Sequence, residues 1–182
     1  MRMVLSQASR STRSLLLILT VSLIGGLTAH AQDVTGAFSA NTRPAYKEEL
    51  TGVWEMTFQR FTHPVEDDPQ MTARYQVFSF GEDGVFKNIT ATRRVSNEDR
   101  ETFLAIMPEN THWEMPKDGL LVIRRSQLDA DGVQAFVVTQ GFTDELLSGS
   151  PALKRGDVVL IYQDKYGNPY LRRYLRLMPL EQ

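Results

Sequence analysis

The chain carries three histidines, His30, His63 and His112, and no cysteine. His63 precedes Pro64 in an acidic stretch and His112 precedes Trp113. Two imidazoles so far apart, in different predicted loops or strands, lack the spacing of a zinc site. The sequence has no Gly-x-Ser-x-Gly elbow, no His-Glu-x-x-His pair and no phosphate-cradling glycine loop. Ser148-Gly149-Ser150 has the composition of a turn rather than of a nucleophile. Glu66-Asp67-Asp68 and Asp129-x-Asp131-Gly132 hold calcium-ligand types, but neither is completed by the closing Glu of a twelve-residue calcium loop. They read as an acidic surface loop and a hairpin turn. Asn88-Ile89-Thr90 fits a glycosylation sequon but falls inside a predicted strand, and is discounted. The expectation is a protein that is not an enzyme and holds neither metal nor cofactor.

Binding is the chemistry left. Aromatic residues are spread over most of the predicted strands, and alternation turns Trp54, Met56, Phe58, Phe78, Phe80 and Phe86 to one side, with Phe136 and Val138 facing them. Arg74 and Gln76 share the alternating face of Phe78, and if buried they need polar partners. In each of the pairs Arg93-Arg94, Arg124-Arg125 and Arg172-Arg173 one guanidinium must point opposite to the other. The outward members read as solvated edge charges, and an inward one suits a carboxylate. The candidate ligand-binding set is therefore Trp54, Met56, Phe58, Arg74, Phe78, Phe80, Phe86, Phe136 and Arg173.

These residues sit on short alternating runs separated by turn residues, a β pattern. The predicted strands cover 52–61, 73–80, 85–93, 111–115, 120–125, 134–139, 157–163 and 169–178. Asp83-Gly84 supplies the positive φ of a tight hairpin, and Leu128 to Gly132 reads as another turn. Ser96 or Asn97 caps one short helix carrying Phe103, Leu104 and Met107, which Pro108 ends. One further helical turn fits residues 144–147. The expected fold is all-β, an eight-stranded antiparallel up-and-down barrel with one short helix, because closure removes exposed strand edges.

The N-terminus reads as an export signal. Arg2, Arg10 and Arg13 precede the apolar run Leu15 to Leu27, which is followed by Ala29-His30-Ala31, an A-x-A cleavage site. A run of that length with two glycines is too short to span a bilayer core of about 30 Å. Cleavage after Ala31 takes three arginines with it and moves the formal charge from −2 to −5. Domains are then a signal peptide at 1–31, a flexible lead-in at 32–49 and a barrel at 50–182. The acidic balance leaves no footprint for nucleic acid, and no second stretch forms a stable membrane anchor. Export without cysteine points to a bacterial periplasmic or secreted protein that is stable from its core alone.

Gly52-Val53-Trp54 opens the first strand, and Tyr170-Leu171-Arg172-Arg173-Tyr174-Leu175-Arg176 forms a basic, aromatic last one. With eight antiparallel strands, this resembles the lipocalin-like (calycin) β-barrels over roughly residues 50–178. The resemblance implies that Trp54 closes the barrel floor and that Arg173, or else Arg176, packs across its indole. The chain departs from a typical lipocalin in the position of its helix, in having no disulfide and in lacking a second Thr-Asp-Tyr type motif. The functional expectation is an exported protein binding a small hydrophobic or amphiphilic ligand non-covalently in the barrel. The alternative is a cell-envelope protein–protein interaction module, with a filled barrel and recognition loops at 62–72 and 141–156.

Overall fold

A computed structural model describes residues 36–62, 72–126, 129–143 and 152–178. The export signal, His63, Glu66-Asp67-Asp68, the helical turn expected at 144–147 and Ser148-Gly149-Ser150 lie outside the described residues.

The elements follow the turn signals closely. After α1 (Gly36–Asn41), β1 (Thr42–Pro44) and α2 (Lys47–Leu50) come β2 (Gly52–Phe61), β3 (Tyr75–Phe80) and β4 (Phe86–Ala91). Then α3 (Asn97–Ile106) leads to β5 (His112–Lys117), β6 (Leu120–Arg124), β7 (Ala130–Val138), β8 (Val158–Gln163) and β9 (Pro169–Leu177). Eight strands form one antiparallel sheet in the order β4-β3-β2-β9-β8-β7-β6-β5, curled into a half-barrel, with β1 added on β7. The two edge strands approach each other at a single bridge, Val85 to His112. The β3–β4 hairpin is built as its Asp-Gly pair dictates. The Asp83 carboxylate accepts from the Val85 N–H at 2.9 Å and Gly84 adopts φ +82°.

Residues 36–50, without periodicity in the sequence, are structured. Phe38 of α1 is fully buried, β1 pairs Thr42 with Val138, and Leu50 of α2 is fully buried in the interior. The Asp129-x-Asp131-Gly132 segment is mostly strand rather than turn, since Asp131 pairs with Ile123 and Gly132 with Val122.

The curled sheet has two apolar faces. The inner core joins Leu50, Trp54, Met56, Phe78, Phe80 and Trp113 to aliphatic residues of β6–β9. The outer core sets Phe38 and Leu153 on Val138, Val159, Ile161 and Tyr174.

Three inward assignments, those of Phe58, Phe136 and Val138, are corrected by this division. Phe58 does not share the face of Trp54 and Met56. The β2–β9 register shifts between Met56 and Phe58, and the bulge turns Phe58 outward to the second core. Phe136 is outward too, with Val138, while Val133, Ala135 and Val137 face inward. The run from Val133 to Val138 is apolar on both sides apart from Gln134, so its pattern has no preferred face. The Phe38 ring, 5.5 Å from that of Phe136, is what covers the outer side.

Candidate functional site

Of the predicted binding residues, Trp54, Met56, Phe78 and Phe80 are buried in the inner core, Phe86 packs half-buried against it, and Arg173 is buried among aromatic rings. Phe58 and Phe136 stand on the opposite face of the sheet. Arg74 is exposed just before β3, its guanidinium 5.6 Å from the Tyr75 ring, whereas Gln76 is buried.

Arg173 points inward between Leu171 and Leu175, as alternation requires. Its partner is not Trp54. Arg173 donates to the Tyr162 hydroxyl at 3.1 Å, and its guanidinium lies 5.0 Å from the Tyr162 ring and 5.5 Å from that of Phe78. The register explains the correction. Trp54 stands opposite Leu177 and Arg173 opposite Gln59, so the two are separated by five positions of β2, roughly 16 Å. The Trp54 indole N–H donates instead to the Leu50 carbonyl at 2.7 Å. Arg176 faces outward and forms a two-pronged pair with the buried Asp157, at 2.9 and 2.6 Å.

Around Arg173 the interior leaves a cavity of about 100 Å³, bordered by Phe78, Phe86, Tyr162, Tyr170 and the Arg125–Asp131 pair. Burial pushes the Tyr170 phenol above its ordinary pKa. Burial works against the Arg125 charge, but Asp131 and Asp129 outweigh it and hold its pKa above the usual value.

A larger space lies outside the curled sheet. Helix α3 is capped by Ser96, whose hydroxyl accepts from the Asp99 N–H at 3.1 Å, with Glu98 and Asp99 in the first turn. Side chains in and beside the helix tie it to the sheet. The buried Arg100 donates to Asn97 at 3.2 Å and approaches the Met178 sulfur at 3.3 Å. Lys87 of β4 donates to the Leu104 carbonyl at 2.8 Å and pairs with Glu109 at 3.2 Å. Arg94 grips Glu55 of β2 through two 2.8 Å bonds, which raise its pKa. So fixed, α3 leaves a groove of about 720 Å³ against β4 and the chain that follows it. Ile89, Val95, Phe103, Ile106 and Met107 give it apolar walls, and Arg93, Arg94 and Asp99 also line it. Phe103 and Ile106 are 43% and 73% exposed, unusual for neighbouring large apolar side chains on one helix.

The groove also runs beside a sheet edge, since Asn88 and Thr90 of β4 are among its lining residues. The helical spacing of Phe103, Leu104 and Met107 was legible in the sequence, but that spacing alone reads as a buried face. What leaves Phe103 and Ile106 uncovered is where α3 lands.

Among the described residues no cluster of three or more His, Cys, Asp or Glu is placed to hold a metal ion, and no helix is long and apolar enough to cross a membrane. His112 is exposed on edge strand β5. No family model, curated protein or solved structure matches this chain.

Proposed function

We propose that this chain is an exported, lipocalin-like binding protein that holds a small hydrophobic or amphiphilic ligand non-covalently and performs no chemistry on it. One contrast among the described residues carries the reading: about 720 Å³ of apolar-walled groove outside the sheet against about 100 Å³ beside Arg173 within it. Ligand pockets run to roughly 300–1,000 Å³. The ligand's apolar part therefore lies along Phe103, Ile106 and Met107, and an acidic group faces the exposed Arg93. The aromatic residues inside the sheet then serve as structural core, at roughly 25 cal/mol per Å² of buried apolar surface. On this reading the first 31 residues direct export, with cleavage after Ala31, and the eight strands are a lipocalin-like barrel whose least-joined side lies between β4 and β5.

The packed interior also favours a second reading, a cell-envelope interaction module that recognises a protein from its outer surface.

Titration with the fluorescent anion 1-anilinonaphthalene-8-sulfonate tests the main reading. Saturable one-to-one enhancement, weakened at least tenfold by Ile106→Asp and by Phe103→Ser, is expected. Absence of binding, or binding indifferent to both substitutions, overturns it.

A further inference from the structure

The groove has a second property that a purely apolar ligand would not use. In an antiparallel ladder the backbone groups of alternate residues point to opposite neighbours. The Phe86 N–H donates away from β3, to the Thr111 carbonyl at 2.9 Å, and the Gly84 carbonyl accepts from the Trp113 N–H at 2.8 Å. These are the two bonds that join β4 to β5. By the same alternation the N–H and C=O of Asn88 and of Thr90 point the same way, off the sheet, and among the described residues they have no backbone partner. Both residues line the groove. The space beside Phe103 and Ile106 thus runs along two donors and two acceptors, repeating at about 6.8 Å.

From this edge we infer that the ligand is a short peptide in extended conformation, added as a strand to β4; the inference rests on the binding role proposed for the groove. A hydrocarbon chain seated there would strip water from four backbone groups and return no hydrogen bond, which is unfavourable. A peptide strand satisfies them with its own N–H and C=O groups and sends alternate side chains to opposite faces, one set onto the apolar wall. The Phe86–Thr111 and Gly84–Trp113 bonds are the first rungs of the ladder the peptide continues. Charge selects its composition. Arg94 is already engaged by Glu55, while Arg93 is exposed, so the peptide carries an acidic side chain or a terminal carboxylate for Arg93. Asp99, also in the lining, disfavours a second acid at the α3 end.

The probe is a blocked hexapeptide alternating leucine and threonine and ending in glutamate. Two further versions carry backbone N-methyl groups on alternate residues, one on the odd and one on the even positions. The parent peptide is expected to bind and to slow hydrogen exchange at the Asn88 and Thr90 amides at least tenfold. One methylated version should lose at least tenfold in affinity and the other should match the parent, because only one set of N–H groups faces β4. Thr90→Pro deletes an edge donor that is outside the β3 ladder, a site where proline is tolerated, and should abolish peptide binding. Thr90→Ser should retain it. No peptide binding up to about 1 mM, equal affinity of all three peptides, or unchanged exchange at Asn88 and Thr90 overturns the inference. If the peptide fails while the fluorescent anion still binds through Phe103 and Ile106, the groove remains a ligand site but not for peptides. Failure of both overturns the binding role itself.

Discussion

The Phe58 ring packs 5.9 Å from that of Tyr174 on the outer face of the sheet, while Met56, two residues earlier, is buried inside it. Strict alternation would keep Met56 and Phe58 together, so the extra residue, Thr57, marks the bulge. Thr57 holds the spot by donating its hydroxyl to the Tyr174 carbonyl at 3.1 Å.

That pairing predicts a measurable coupling. Tyr174→Ala removes a fully buried ring and should cost about 3–5 kcal/mol, and Phe58→Ala, half-buried, about 1–2 kcal/mol. In a double-mutant cycle followed by urea unfolding, the two should couple by about 0.5–1.5 kcal/mol. Should Tyr174→Ala not fold, Tyr174→Leu serves in the same cycle. Additivity within about 0.3 kcal/mol would mean that Phe58 does not lie on Tyr174.

Acid sensitivity should trace in part to the strap that leads into β2. Glu49 of α2 pairs with Arg43 and accepts from the Tyr46 N–H at 2.9 Å. The Arg43 hydrogen bond, against the opposing effect of burial, holds the Glu49 carboxyl below its ordinary pKa. A lowered folded pKa stabilises above the unfolded value, near 4.3, and this contribution vanishes as pH falls through the folded pKa. Both side chains are partly exposed, so the effect stays below about 1 kcal/mol. Glu49→Gln should therefore be slightly less stable than the native chain at pH 7, with the gap closing by about pH 2. A gap that is constant across this range would remove the carboxylate from the account.

Export is testable by mass. Produced in a bacterium from Met1, the chain recovered from the periplasm should begin at Gln32. Large residues at the cleavage site, Ala29→Leu with Ala31→Leu, should leave the precursor uncut. Recovery of the native chain with its first 31 residues attached would contradict the signal-peptide reading.

Local features carried the strand positions. Gly84 at φ +82° with Asp83 closing onto Val85, the Ser96 cap of α3 and the stop at Pro108 all act over four or five residues, and each was legible in the string of amino acids. The inward side of Arg173 was legible too, because Leu171 and Leu175 flank it on an otherwise clear alternation. α1 and β1 were not, since six-residue and three-residue elements owe their form to the sheet they cover rather than to any periodicity of their own.

What the sequence determined by itself is where this chain extends, turns and coils, because those choices are made by neighbouring residues. Only the tertiary structure decided which face each strand shows, which ring Arg173 meets and what stays uncovered. A period of two has no memory across the bulge at Thr57, and the apolar run of β7 scarcely distinguishes its faces. Phe78 and Tyr162 reach Arg173 through the registers of separate strands, and the groove exists because α3 returns against β4 while leaving the Asn88–Thr90 edge open. Contacts between residues far apart in the chain depend on register and packing, which no local pattern specifies.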